Sequence, residues 1–174
     1  MTDRQPSQDD SLNRQKRLLR RGTTLLQQGN AAKAATLLAR AYQIAPDDVD
    51  IALNLSSAYI LTRQFDRAIP ILEKLTEQLP DNEMIWTNLG AAYLGNPVLA
   101  RDAEQNRAIE AFEKALSLNP NAPHVAYNLG LVHRDRREFE KAVHWFEKAI
   151  ETNPRDVDAH ALLKVMRRAL QEEE

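Results

Sequence analysis

Apolar residues recur along this chain at intervals of three and four, the spacing of helices that bury one face. The helices come in pairs, and each pair closes on a proline: Pro46, Pro80, Pro120 and Pro154, separated by 34, 40 and 34 residues. A recurring period of this size indicates a repeated unit rather than a single globular core. With the proline set at repeat position 32, the repeats begin at Gln15, Val49, Glu83 and Pro123. Position 8 then holds Gly22, Ser56, Gly90 and Gly130, and position 20 holds Ala34, Ala68, Ala108 and Ala142. Position 24 holds Leu38, Leu72, Phe112 and Phe146; position 27 holds Ala41, Leu75, Ala115 and Ala149.

These choices have a mechanical reason. Positions 4, 7, 8 and 11 share one face of a first helix, and positions 20, 24 and 27 share one face of a second. Small residues at 8 and 20 let the two backbones approach, and the larger side chain at 24 fills the space above them. The proline ends the second helix because the residue before it resists helical geometry. Asp66, ahead of Arg67 and Ala68, is expected as an N-cap, which would put Pro70 in the first turn. A lone hairpin of this size cannot bury its own face, so neighbours must stack.

The third repeat carries Trp86, Leu89, Gly90, Tyr93, Ala108, Phe112, Ala115 and Pro120. The second carries Leu55, Tyr59, Phe65, Ala68 and Pro80; the fourth carries Leu129, Gly130, Phe139, Ala142, Phe146 and Pro154. In this the chain resembles the tetratricopeptide repeat family over roughly residues 15–156. The resemblance implies an all-α fold, a right-handed superhelical solenoid of helix-turn-helix hairpins. The expected organisation is a flexible segment over 1–10 and four hairpins within 11–156, at 15–48, 49–82, 83–122 and 123–156. A capping helix over 157–171, with Leu163, Met166 and Leu170 in one stripe, would cover the last hairpin. Glu172, Glu173 and Glu174 are expected to be mobile.

Some positions depart from the pattern. Arg21 occupies an apolar position that a terminal repeat tolerates, and His133 replaces an aromatic residue, most simply as a core substitution that finds one hydrogen bond. The third repeat holds six extra residues within 95–106. Two structures fit them: a longer second helix from Pro97, capped by Asn96, or a loop with the helix restarting near Ala103. The absence of a breaker between Val98 and Asn106 favours the longer helix.

Composition narrows the chemistry. The net charge of -2 supplies no global field toward nucleic acid or an anionic membrane. No apolar run is long enough to span a bilayer, and the first ten residues lack the apolar stretch of a signal peptide, so a cytoplasmic location is expected. There is no cysteine. His124, His133, His144 and His160 form no metal-binding pair, and no phosphate loop or nucleophile elbow is present. No catalytic residue, metal, cofactor or small-molecule substrate is therefore expected.

What remains is an interaction surface. The resemblance implies that positions 2, 5, 6, 9, 12 and 13 look into a concave groove. Position 6 holds Arg20, Asn54, Asn88 and Asn128, so three asparagines would form a ladder whose amides pair with the backbone of an extended peptide. Leu53, Tyr127 and Leu131 supply apolar contacts beside it, and Arg134 a charge. The family's carboxylate clamp is absent: Leu19, Thr23, Met84 and Asn88 stand where it would need lysine, asparagine, lysine and arginine, and only Asn54 fits. Arg14, Lys16, Arg17, Arg20 and Arg21 form a basic run better explained as a solvated terminal helix than as a nucleic-acid site. Trp145 is expected under the capping helix rather than as a second contact surface. The expected function is capture of another protein's peptide or helix, the alternative being assembly of a homodimer or larger homo-oligomer.

Overall fold

The computed structural model describes residues 8–95, 101–122 and 124–173, and among these it contains nine α-helices and no strand. The helices are α1 (Gln8–Gln27), α2 (Ala31–Ile44), α3 (Val49–Leu61), α4 (Phe65–Gln78), α5 (Glu83–Leu94), α6 (Asp102–Leu118), α7 (Val125–Asp135), α8 (Phe139–Thr152) and α9 (Val157–Glu173). They group into two compact units, Met1–Pro80 and Asp81–Glu174. In the first unit α1 pairs with α2 and α3 with α4, while α3 also packs on both α1 and α2. In the second, α5 pairs with α6 and α7 with α8; α7 packs on α5 and α6, and α9 packs on α8. This is the all-α helical-hairpin repeat expected from the sequence.

Close packing inside each hairpin follows the repeat positions. The alanines at position 20 and the large residues at position 24 are all fully buried. A methyl group placed on Gly22 would lie 2.5 Å from Leu38 Cγ, and one on Gly90 or Gly130 would lie 2.6 Å from the ring of Phe112 or Phe146. The residue at 8 is small because the side chain at 24 of the same hairpin occupies its space. Ser56 is fully buried, and its hydroxyl donates to the Leu53 carbonyl at 2.9 Å, which removes the penalty of an unpaired buried oxygen.

Three first helices end in the same turn. Gly29, Arg63 and Arg137 adopt φ of 76°, 59° and 60°. Asn30, Gln64 and Glu138 then donate backbone N–H groups to Leu25, Tyr59 and His133, at 2.8, 2.8 and 2.9 Å. This is the Schellman arrangement, which satisfies carbonyls left open at a helix end. The following helix starts with almost no linker. In α4 that geometry overrides the expected cap: the Gln64 carbonyl already accepts from Arg67 and Ala68 at 3.0 and 3.2 Å, so the helix begins at Phe65. Asp66 therefore sits inside the first turn, and Pro70 is the sixth helical residue, past the turn where proline costs least.

The ends and the insertion also differ from expectation. α1 begins at Gln8, seven residues ahead of Gln15, and Asp9 and Asp10 suit its positive N-terminal end. α9 continues to Glu173, with Arg168 donating to Glu172 at 2.9 Å one turn on. α6 begins at Asp102, near the restart at Ala103 rather than at Pro97. Arg101 is extended (φ -79°, ψ 167°) and its N–H donates to the Glu104 carboxylate at 3.0 Å. Asn96 and Pro97 lie outside the described residues.

Leu163 and Met166 of α9 bury themselves against Ala142 and Phe146, and Ala159 joins Ala126 and Ala149. Each large side chain so covered is worth about 1.5–3 kcal/mol. Trp145, half-buried, packs on the α6–α7 core and on the Ala126–Ala149–Ala159 cluster, so it is mostly spent in packing.

Candidate functional site

The expected groove positions lie on the first helices of the hairpins, and each unit places its own. In the N-terminal unit, α1 and α3 are tied together along their length. Gln15 donates to Asp48 Oδ2 at 2.6 Å while Asp48 Oδ1 caps α3 by accepting from the Ile51 N–H at 3.1 Å. Two turns further along α1, the Thr23 hydroxyl donates to Asn54 Oδ1 at 3.4 Å, and Asn54 Nδ2 donates to the Asp50 carbonyl at 2.8 Å. These contacts fix the Asn54 amide while using one of its two N–H groups and one oxygen lone pair. Arg20 is exposed and Leu53 half-buried.

In the C-terminal unit, Asn88 and Asn128 are half-buried on the neighbouring helices α5 and α7. Tyr127 and Leu131 are half-buried too, and both pack on the Phe146 cluster that α9 covers. The Tyr127 ring meets Phe146 edge-on, with centroids 5.9 Å apart. Part of the surface expected for a partner is thus already covered by the protein itself. Arg134 is paired with Asp135 at 2.6 Å.

His133 behaves as a core residue. It is buried, and its Nδ1 lies 2.7 Å from Glu138 Oε2. Glu138 also meets Arg136 at 3.1 Å and Lys141 at 3.0 Å. Hydrogen bonds from Lys141 and His133, helped by the charges of Arg136 and Lys141, hold its carboxyl below the ordinary carboxylate value. This cluster ties the end of α7 to the start of α8.

Several side chains stand out as available, each within its own unit. Leu61 on α3 is 63% exposed and Met84 on α5 is 52% exposed, both at expected groove positions. Arg14, Lys16, Arg17, Arg20 and Arg21 are all exposed on α1. Sequence reasoning missed a further feature: His124, Thr152, Asn153 and Asp156 gather beside Tyr127. No helix among the described residues is long and apolar enough to cross a membrane.

Short antiparallel helix pairs, stacked through small-to-large contacts and presenting apolar and amide side chains on their first helices, define a helical-repeat protein. Tetratricopeptide repeat profiles match residues 25–92 and 104–157. The chain belongs to the tetratricopeptide repeat family.

Over 139 residues it is 27% identical to the peroxisomal targeting signal receptor of Saccharomyces cerevisiae, covering 77% of this chain and 22% of that protein. Over 153 residues it is 26% identical to BBSome complex member BBS4 of Bos taurus, covering 88% of this chain and 28% of that one. The chain spans less than a third of either relative's length. A crystal structure of MamA protein matches with a TM-score of 0.73 at 23% identity, over 92% of this chain and 85% of that one, a likeness of fold.

Proposed function

We propose that this chain is a non-enzymatic interaction module that holds an extended peptide or a helix of a partner protein along its first helices. The observation that carries this reading is the exposure of Leu61 and Met84 at groove positions. Leu61 in the N-terminal unit and Met84 in the C-terminal unit each leave a large apolar side chain in water at a position where the family resemblance puts the partner. Asn54 supports it, because its amide is already oriented and keeps a donor and an acceptor for a peptide backbone. Arg20, Asn88 and Asn128 extend the same row of positions, with Leu53, Tyr127, Leu131 and Arg134 flanking it. The relatives' names, a targeting signal receptor and a complex member, agree with a protein-binding role.

The test is selection of peptides from a displayed library on the intact protein and on the triple variant Asn54→Ala, Asn88→Ala, Asn128→Ala. The wild type enriches a defined set, and the triple variant binds that set at least tenfold more weakly while keeping its helical circular dichroism. Equal binding by the triple variant removes the asparagines from the mechanism.

A second reading is self-association through α9. Val157 and Val165 are 77% and 55% exposed, while Leu163 and Met166 of the same helix are buried. Sedimentation of the wild type and of Val165→Glu decides it: a dimer that the substitution dissociates supports assembly, and a monomer in both cases rejects it.

A further inference from the structure

A cavity of about 260 Å³ opens in the C-terminal unit, between the start of α7, the end of α8 and the turn into α9. It is smaller than the roughly 300–1,000 Å³ of small-molecule sites, and suits one side chain better than a whole metabolite. Its wall is apolar at Ala126 and Ala149, aromatic at Tyr127 and polar at Thr152 and Asp156. His124, whose backbone is left-handed with φ of 62°, also lines it. Among the described residues no lysine or arginine lines it.

We propose that this cavity receives a basic side chain of the partner, arginine above lysine, with its methylene stem on the alanines, its charged head beside Asp156 and its plane against Tyr127. The reasons are chemical. A guanidinium stacks on an aromatic face and pairs with a carboxylate in the same plane, which an ammonium does less well. Asp156 Oδ1 is committed to α9, accepting the Ala159 N–H at 2.9 Å, so Oδ2 is the oxygen left to meet a cation. Asp158, the second residue of α9, adds negative potential. Burial, then the charges of Asp158 and Asp156, raise the Tyr127 phenol above its ordinary value. Arg134 opposes them, but its own charge is compensated by Asp135 at 2.6 Å. The inference rests on the peptide-capture reading for where the side chain comes from; the preference of the cavity is independent of it.

The test titrates the intact protein with Nα-acetyl-arginine methylamide and follows backbone amide resonances by NMR. The neutral isostere Nα-acetyl-citrulline methylamide serves as control. The arginine probe moves the amides of Tyr127, Asn153 and Asp156 along a saturable curve, and citrulline moves them far less. Asp156→Asn keeps an oxygen to cap α9, so folding persists and only the charge is lost. That variant weakens the arginine probe about fivefold, the scale of one partly exposed charge contact. Equal response to citrulline, no saturable response to arginine, or full affinity in Asp156→Asn overturns the proposal. A cavity that ignores arginine, in a protein whose peptide capture still depends on the three asparagines, sinks this inference and leaves the groove reading standing.

Discussion

Replacing Gly130 with alanine tests the packing of the hairpins most directly. The added methyl would lie 2.6, 2.7 and 2.9 Å from three carbons of the Phe146 ring. That ring is fully buried and packed among Ala142, Leu163 and Met166, so it has no open space to swing into. Overpacking of this kind costs about 1–3 kcal/mol, and three close atoms argue for the upper end. Alanine returns about 1 kcal/mol through its better helix propensity. The net expectation is a loss of about 2 kcal/mol, or a fall in melting temperature of roughly 4–8 °C for a chain of this size. Urea unfolding followed by circular dichroism measures it. Phe146→Ala removes the ring, so Gly130→Ala with Phe146→Ala should cost about 2 kcal/mol less than the two single changes added together. A neutral or stabilising Gly130→Ala, or strict additivity in the double variant, would refute the argument.

Two further outcomes follow from the helix ends. Pro70→Ala restores an N–H to the interior of α4, where the Asp66 carbonyl can accept it, and should stabilise the N-terminal unit by about 1–2 kcal/mol after the looser unfolded chain is allowed for; thermal melting checks this. Glu138 has a folded-state value below its ordinary 4.5, so its contribution is fully present above that pH and is lost as pH falls through the lowered value. Glu138→Gln should therefore cost about 1 kcal/mol at neutral pH, and its stability curve should converge on the wild type in acid; a gap that persists at low pH contradicts the ion-pair account.

The hairpins were legible because their packing is local and periodic. Gly22 meets Leu38, and Gly130 meets Phe146, across one turn of chain, so size alternation along the sequence reports the contact. The start of α4 was misread for a different reason. Aspartate is a good cap, but the left-handed turn at Arg63 delivers the Gln64 carbonyl to the helix first, and that geometry has no marker when the residue is not glycine. α1 extends back to Gln8 on a polar stretch with no apolar period to announce it. At the candidate site, Asn54 could be placed by repeat position alone. The cavity beside Tyr127 could not, because it needs α7, α8 and the turn before α9 together, and a histidine in a conformation usual for glycine.

The contact between positions 8 and 24 is not the same in every hairpin. In the N-terminal unit Gly22 and Ser56 belong to hairpins whose second helices carry leucine; in the C-terminal unit Gly90 and Gly130 face phenylalanine. Each pair of helices is thus cut to its own gauge, like a key to one lock. Recombination between repeats would be tolerated at the proline-marked joints and punished inside a hairpin: α3 joined to α8 would drive the Phe146 ring against the hydroxymethyl of Ser56. Whole hairpins, not single helices, are the unit that can be exchanged.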